Sequence, residues 1–303
     1  MTSLAESRVA IVGIGLIGGS LALALKGKCM ATTGVDLDPS AVELARATGA
    51  VDFATADVAA GVRDCNLIVL ATPVRSIIAL LAKIPSLISS LGPHAQAANP
   101  PISILDVGST KTAVLAAMEA LPSHFDPVGG HPMCGREVAG LAHADPDLFR
   151  GQTFVLTPLP RTTPPTLGLA RELVSATGAK TLELSALAHD TLTALISHLP
   201  YVAAVALVRA VESVRDDRAW ALAASGFRDA SRLAASDLTM MIDILISNRP
   251  AILDALVCYR RELDMIAGWI DTADSAILHE ALHPTQVKRA ELAVGSTNDF
   301  PHS

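Results

Sequence analysis

The chain has 303 residues, half of them apolar and only 3% aromatic, and a formal net charge of −7. That length suits two domains or one large one with a core of Ala, Leu, Val and Ile. The acidic balance excludes a general nucleic-acid binder, which needs a basic face for phosphates. Cys29, Cys65, Cys134 and Cys258 have neither CxxC nor Cys/His ligand spacing. They read as free thiols of a reducing compartment, with no disulfide frame and no metal site. The N-terminus lacks an apolar run followed by a small-residue cleavage site, and no uncharged apolar span approaches the roughly 20 residues of a membrane helix. Ile196–Val208 is strongly apolar, but His198, Pro200 and Arg209 mark it as a buried helix. A cytoplasmic protein without membrane contact is expected.

In chain order, Val9–Val12 is a short apolar run that reaches Gly13-x-Gly15-x-x-Gly18, and a second apolar run, Leu21–Leu25, follows. Strand, glycine turn and helix are the order of a dinucleotide-binding turn. Gly13 allows the tight turn, Gly15 admits the pyrophosphate, and Gly18 lets the helix pack close. Leu16 and Ile17 begin the helix, whose free N–H groups favour an anion. Asp36 ends the next apolar segment, 18 positions beyond Gly18, where a carboxylate meets the adenosine ribose 2′-OH. Such a carboxylate repels a 2′-phosphate, so NAD is expected over NADP.

Asp38 and Pro39 open a helix that Gly49 stops. Leu67–Ala71 is a buried strand that ends at Thr72-Pro73, and helix restarts near Val74. Pro85 and Gly92–Pro101 mark loops. Ile102–Val107 is another buried strand, ending in Gly108-Ser109-Thr110-Lys111 ahead of a helix over Thr112–Leu121. Thr153–Thr157 and Lys180–Leu184 are two more strands, with a helix over Leu167–Thr177 between them. This alternation predicts an α/β fold with a doubly wound parallel sheet. Gly13–Gly18, Asp36, Thr72, Pro73 and Ser109 then share one edge at the carboxyl ends of the strands. From Ser185 the strand signals stop and Ala/Leu-rich helical patterns run to about Leu282. The expected division is a dinucleotide-binding domain over 1–184 and an all-helical domain over 185–303, with the last residues, Val294–Ser303, as a disordered tail. The low polarity of the second domain points to burial in a homodimer.

Four features could carry chemistry. Gly129-Gly130-His131-Pro132 holds a histidine in a fixed, non-helical loop, and neutral imidazole can take a proton from a hydroxyl as hydride leaves. A surface histidine is the alternative. Ser109 could cap the following helix, or orient His131 and the nicotinamide. His198, in Ser197-His198-Leu199-Pro200, reads equally as a core histidine or a site residue. Arg228 and Arg232, four apart on one helical face, suit a carboxylate or a solvated surface.

Taken together, the stretches VGIGLIGGSLALAL, DVGSTK, GGHPMCGREVAG, SHLP and SGFRDASRLAAS, over roughly residues 8–250, resemble the prephenate/arogenate dehydrogenases of tyrosine biosynthesis. The resemblance implies a Rossmann-type domain followed by a helical dimerisation domain, a homodimer, and an oxidative decarboxylation in which hydride passes to NAD. It implies that His131 accepts the hydroxyl proton, Ser109 supports the histidine and the cofactor, Arg232 holds a substrate carboxylate, and His198 lines the side-chain end of the pocket. Tyr201 stands where many prephenate-using members carry a second histidine, and Cys134 where alanine is common. The pyruvyl (prephenate) and alanyl (arogenate) side chains both stay open. No fused mutase or regulatory domain is expected. A 6-phosphogluconate-like dehydrogenase would need a lysine in the helical core, where none occurs between Lys180 and Lys288. A non-catalytic dinucleotide-sensing dimer is the rival from outside the enzymes.

Overall fold

The computed structural model describes residues 3–89, 101–136 and 138–295. The loop expected over Gly92–Pro101 lies, but for Pro101, outside the described residues, as does the expected tail beyond residue 295. Up to Ile252 the chain forms one compact unit, and from Leu253 onward a second.

The first unit is built on one eight-stranded sheet in the order β3-β2-β1-β4-β5-β6-β7-β8. The strands are β1 (Arg8–Val12), β2 (Ala31–Val35), β3 (Phe53–Thr55), β4 (Leu67–Leu70), β5 (Ile102–Asp106), β6 (Phe125–Pro132), β7 (Thr153–Pro158) and β8 (Lys180–Glu183). Every pairing is parallel except β6 with β7. The helices over this stretch are α1 (Leu16–Leu25), α2 (Pro39–Thr48), α3 (Val58–Val62), α4 (Val74–Ser89), α5 (Thr112–Glu119) and α6 (Pro164–Ala176).

Strand alternation sorts the core into two layers. Val9, Ile11, Val69 and Leu105 face one way and pack with Leu21 and Leu25 of α1 and Leu169 and Leu173 of α6. Ala10, Val12, Ile68, Leu70 and Ile104 face the other way, against Ile77 and Leu81 of α4 and Val114 and Met118 of α5. Both faces are therefore covered, which is why these strands read as continuous apolar runs. Each fully buried Leu, Ile or Val contributes about 1.5–3 kcal/mol of transfer free energy. The register aligns Val12, Leu70 and Asp106 across the sheet. The carboxyl ends of β1, β4 and β5 thus meet at one edge, with the topological switch between β1 and β4.

Two local expectations are corrected. Pro85 lies inside α4 and does not start a loop. Gly129-Gly130-His131-Pro132, expected as a non-helical loop, is the second half of β6. The glycines there are demanded by packing: a Cβ on Gly129 would lie 2.1 Å from Thr157 Oγ1, and one on Gly130 2.8 Å from the Asp106 carbonyl oxygen. What looked like loop composition is a central strand squeezed between neighbours.

After β8 the chain is helical: α7 (Ala186–Thr193), a π-helical segment (Ala194–His198), α8 (Leu199–Ser213), α9 (Arg218–Ala221), α10 (Ser225–Ser231), a 3-10 turn (Arg232–Ala235) and α11 (Leu238–Ser247). Pro200 has no N–H to give, and its ring crowds the carbonyl four residues back. The wide π turn just before it relieves that crowding. The run Ala186–Ser213 is long and apolar enough to cross a membrane by length and composition. Within it, however, His189, Asp190 and His198 are buried and hydrogen-bonded to one another's surroundings. The expectation that Ile196–Val208 is wholly buried is corrected: Ile196 is 66% and Leu207 37% exposed, while Tyr201 and Ala204 are buried. The first part of the run, α7, packs on α5 of the sheet domain and α8 packs on α10 and the 3-10 turn, while Leu187, Leu192, Leu195 and Ile196 are left uncovered in the single chain. The second unit carries α12 from Leu253 on (the helix spans Arg249–Asp271) and α13 (Ser275–Gly295). Val257, Ile270 and Leu282 are exposed on it.

Candidate active site

The glycine turn is built as its sequence requires. Gly13 has φ +92°, a region costly for other residues. A Cβ on Gly18 would sit 1.8 Å from the Gly13 carbonyl oxygen, so turn and helix touch backbone to backbone. Gly15 is the N-cap of α1, and a Cβ there would meet nothing within 4 Å. The space above it is open. The N–H groups of Leu16, Ile17 and Gly18 are the ones a helix start leaves unpaired. Asp36, just past β2, accepts the Ile14 N–H at 2.9 Å and the Asp38 N–H at 3.0 Å. One carboxylate thereby ties the glycine turn to the end of β2, and each oxygen keeps a lone pair for a ribose hydroxyl. Thr72 follows β4, and its Oγ1 is buried without a hydrogen-bond partner among the described residues. Pro73 precedes α4, and Ser109 lies half-buried past β5. A buried orphan hydroxyl, an open glycine cradle and a free helix start at one sheet edge fit a dinucleotide.

His131 sits in β6 near its carboxyl end, beside that edge. Its ring partner is one that the sequence did not single out: His131 Nδ1 lies 2.8 Å from His189 Nε2. His189 Nδ1 lies 2.8 Å from Asp190 Oδ1. Asp190 in turn accepts the backbone N–H groups of Lys111 (Oδ1, 2.8 Å) and Thr112 (Oδ2, 2.8 Å) at the start of α5. Ser109 therefore does not cap α5, whose N-cap position, Lys111, uses no side-chain bond of its own; the cap reaches in from α7. Burial resists charge on Asp190, but hydrogen bonds from His189 and Thr112 outweigh it and hold the carboxyl at about 2. Burial first, and then the neighbouring His189, Lys111 and His198, hold the His131 ring well below the usual imidazole value. It is a neutral base at neutral pH.

Two further polar links fix this frame. Lys111 and Asp106 form an ion pair with both side chains fully buried. Asp106 also accepts the N–H of Gly108 at 2.9 Å and of Gly130 at 3.2 Å, so it holds the backbone beside His131. Asp243 of α11 pairs with the Arg75 guanidinium and accepts its backbone N–H at 3.2 Å, near the start of α4. The helices that follow β4 and β5 thus both begin on carboxylates from the helical segment.

His198 closes the π segment and is 1% exposed. Asn248 Nδ2 donates to the Asp190 carbonyl at 2.7 Å and lies 3.2 Å from His198 Nδ1. Burial pushes the His198 ring down to about 4. Tyr201, one turn on, is buried. Arg228 lies in α10, whereas Arg232 begins the 3-10 turn that packs on α8. The two arginines do not share one continuous α-helical face, and both are exposed. Cys134 is half-buried, with its thiol pushed up by burial to about 11. It is no nucleophile at neutral pH. Among the described residues no cluster could hold a metal ion.

A family model described as the nucleotide-binding domain of prephenate dehydrogenase matches residues 21–183, and one described as its dimerization domain matches residues 185–284. The prephenate dehydrogenase of Bacillus subtilis (strain 168) is 33% identical over 279 residues, which is 89% of this chain and 72% of that protein. The solved structure of Synechocystis arogenate dehydrogenase is 32% identical, with a TM-score of 0.79, and covers 94% of this chain and 99% of that one. The prephenate dehydrogenase of A. aeolicus, solved in complex with hydroxyphenyl propionate and NAD+, is 28% identical with a TM-score of 0.84, over 96% of this chain and 99% of that one.

Proposed function

Because the chain belongs to the prephenate dehydrogenase family, we propose that it oxidises and decarboxylates prephenate to 4-hydroxyphenylpyruvate in tyrosine biosynthesis, using NAD. The observation that carries the chemistry is the bond from His131 to His189. With Nδ1 engaged there, Nε2 is left as the acceptor for the proton of the substrate's ring hydroxyl. A bound nicotinamide supplies the hydride acceptor. The resulting cross-conjugated dienone carries the ring carboxylate on the carbon para to its carbonyl; it loses CO₂ as the ring becomes aromatic, and the phenolate so formed takes back the proton held on His131 Nε2.

The remaining roles belong to the same proposal. Gly13, Gly15, Leu16, Ile17 and Gly18 receive the pyrophosphate, Thr72, Pro73 and Ser109 line the cofactor, and Arg232 binds a substrate carboxylate. The placement of Asp36 at the glycine turn supports NAD over NADP. The division into a dinucleotide-binding domain over 1–184 and a helical domain over 185–303 is supported by the extents of the two family models. Homodimer formation is supported by the dimerization model and by the uncovered Leu187, Leu192, Leu195 and Ile196. The four free cysteines accord with a cytoplasmic setting.

The choice of prephenate rests on His198. The Asp190 carbonyl only accepts, so the Asn248 group beside it is the amide nitrogen. That nitrogen donates to His198 Nδ1, which leaves Nε2–H as a donor. A donor suits the keto and carboxylate oxygens of a pyruvyl side chain and opposes the ammonium of an alanyl one. Comparing kcat/KM for prephenate and arogenate tests this. Prephenate should be preferred at least tenfold, and equal or better use of arogenate would reverse the assignment.

A further inference from the structure

We propose that Asp190 is a positioning residue for this oxidation: anchored on the two backbone N–H groups that open α5, its carboxylate fixes the tautomer of His189 and so presents His131 as a base. The inference rests on the reading of His131 as the proton acceptor.

Donors and acceptors fix where each proton sits. An ionised carboxylate only accepts. Asp190 Oδ1, 2.8 Å from His189 Nδ1, therefore requires the proton on that nitrogen. A neutral His189 then carries a lone pair on Nε2, and His131 Nδ1, 2.8 Å away, must supply the N–H. Only one tautomer of His131 satisfies the chain, the one with Nε2 unprotonated. The anchoring keeps this order from reversing. Oδ1 and Oδ2 each take a backbone N–H of α5, at 2.8 Å, where the helix dipole favours negative charge. Asp190 is buried, so water does not compete. The charged and titratable groups around His131 are His189, Lys111 and His198, which oppose a positive ring, and Asp190, which favours one. The carboxylate thus also offsets the charge that His131 gains when it takes the hydroxyl proton. No proton moves beyond His131 Nε2: His189 keeps its Nδ1 proton and Asp190 stays ionised. The same carboxylate holds the start of α5, directly after Gly108-Ser109-Thr110. The base and the cofactor-side loop are therefore set by one group.

The test uses the full-length chain with NAD and prephenate. Asp190→Asn must turn its NH₂ toward Thr112 N–H, or toward both Lys111 N–H and His189. Both leave the NH₂ facing a backbone donor, and the second also reverses both histidine tautomers. We expect kcat to fall by about 10²–10⁴, with KM and the dinucleotide Kd within about threefold and the acid limb of the kcat–pH profile displaced. Should Asp190→Asn fail to fold for want of the helix cap, His189→Gln and His189→Leu keep that cap. Glutamine can donate to Asp190 and accept from His131, so it should retain well over tenfold more activity than leucine. A kcat within a few-fold of wild type in Asp190→Asn with an unmoved acid limb, or equal rates in the two His189 variants, overturns the proposal. His131→Asn separates the two levels: if it retains full rate, the assignment of the base fails, whereas if it is inactive while the other variants are not, only the role of Asp190 fails.

Discussion

His131 Nδ1 and His189 Nε2 stand 2.8 Å apart, and this bond links a strand of the sheet to the first helix of the all-helical segment. It ties the proposed base to both the sheet and the helical segment. Replacing His131 with asparagine keeps a polar side chain in the strand and removes the acceptor. The expected outcome is a kcat lowered by about 10²–10⁴ with dinucleotide affinity unchanged, read from steady-state kinetics and from titration calorimetry with the cofactor.

Two glycines of the first turn should respond differently to the same small change. A Cβ on Gly18 falls 1.8 Å from the Gly13 carbonyl oxygen, so Gly18→Ala should lower the melting temperature and abolish cofactor binding. A Cβ on Gly15 meets nothing in the protein. Gly15→Ala should therefore melt as wild type yet bind the dinucleotide at least tenfold more weakly. Unchanged affinity in Gly15→Ala would mean that the pyrophosphate does not approach there.

Cofactor choice is assigned to Asp36. Its carboxylate also receives the Ile14 N–H, so Asp36→Ser gives up both a repulsive charge and a tie within the turn. The ratio of kcat/KM for NAD over NADP should drop about tenfold or more, equivalent to roughly 1.4 kcal/mol. Equal ratios in variant and wild type would shift the choice to other residues.

Arg232→Ala should raise the KM for prephenate about 30-fold or more, on the order of 2 kcal/mol, with a smaller effect on kcat. A near-normal KM would move the carboxylate anchor to Arg228.

Acid should weaken the fold in two stages. His198 is held near 4 by burial, below its unfolded value of about 6.5, so the folded state favours the neutral ring. Its stabilisation is complete above about pH 6.5 and is lost as pH falls toward 4, by roughly 3 kcal/mol in all. His131, also lowered, acts in the same sense. Asp190, at about 2, stabilises above its unfolded value of about 3.9 and loses this only below it. Urea midpoints should thus drop between pH 7 and 4.5, and less steeply in His198→Asn.

Much of the sheet was legible because buried parallel strands leave continuous apolar runs, as in Leu67–Leu70 and Ile102–Asp106. Asp38, Pro39 and Gly49 bound α2 as their chemistry demands: Asp38 accepts the Ser40 N–H, and Gly49 takes φ +61°. The strand β6 was hidden by its own packing, since Gly129, Gly130 and two prolines imitate a loop. Among the site residues, the motif positions were readable but their partners were not. His189-Asp190 is a short polar pair in an Ala/Leu-rich helix, and only the fold brings it to His131, 58 positions away. Asp243 and Asn248 became visible only where α11 meets the sheet edge. A charged or histidine pair within an otherwise apolar helical stretch was the available signal. Such a pair is seldom buried without a partner.

The most direct test of the account is incubation of the purified chain with NAD and prephenate. It predicts one equivalent each of reduced nicotinamide, CO₂ and 4-hydroxyphenylpyruvate per prephenate consumed, and no such turnover in His131→Asn. Tight dinucleotide binding with no reduction in the presence of either prephenate or arogenate would contradict it, and would leave a dinucleotide-sensing dimer in its place.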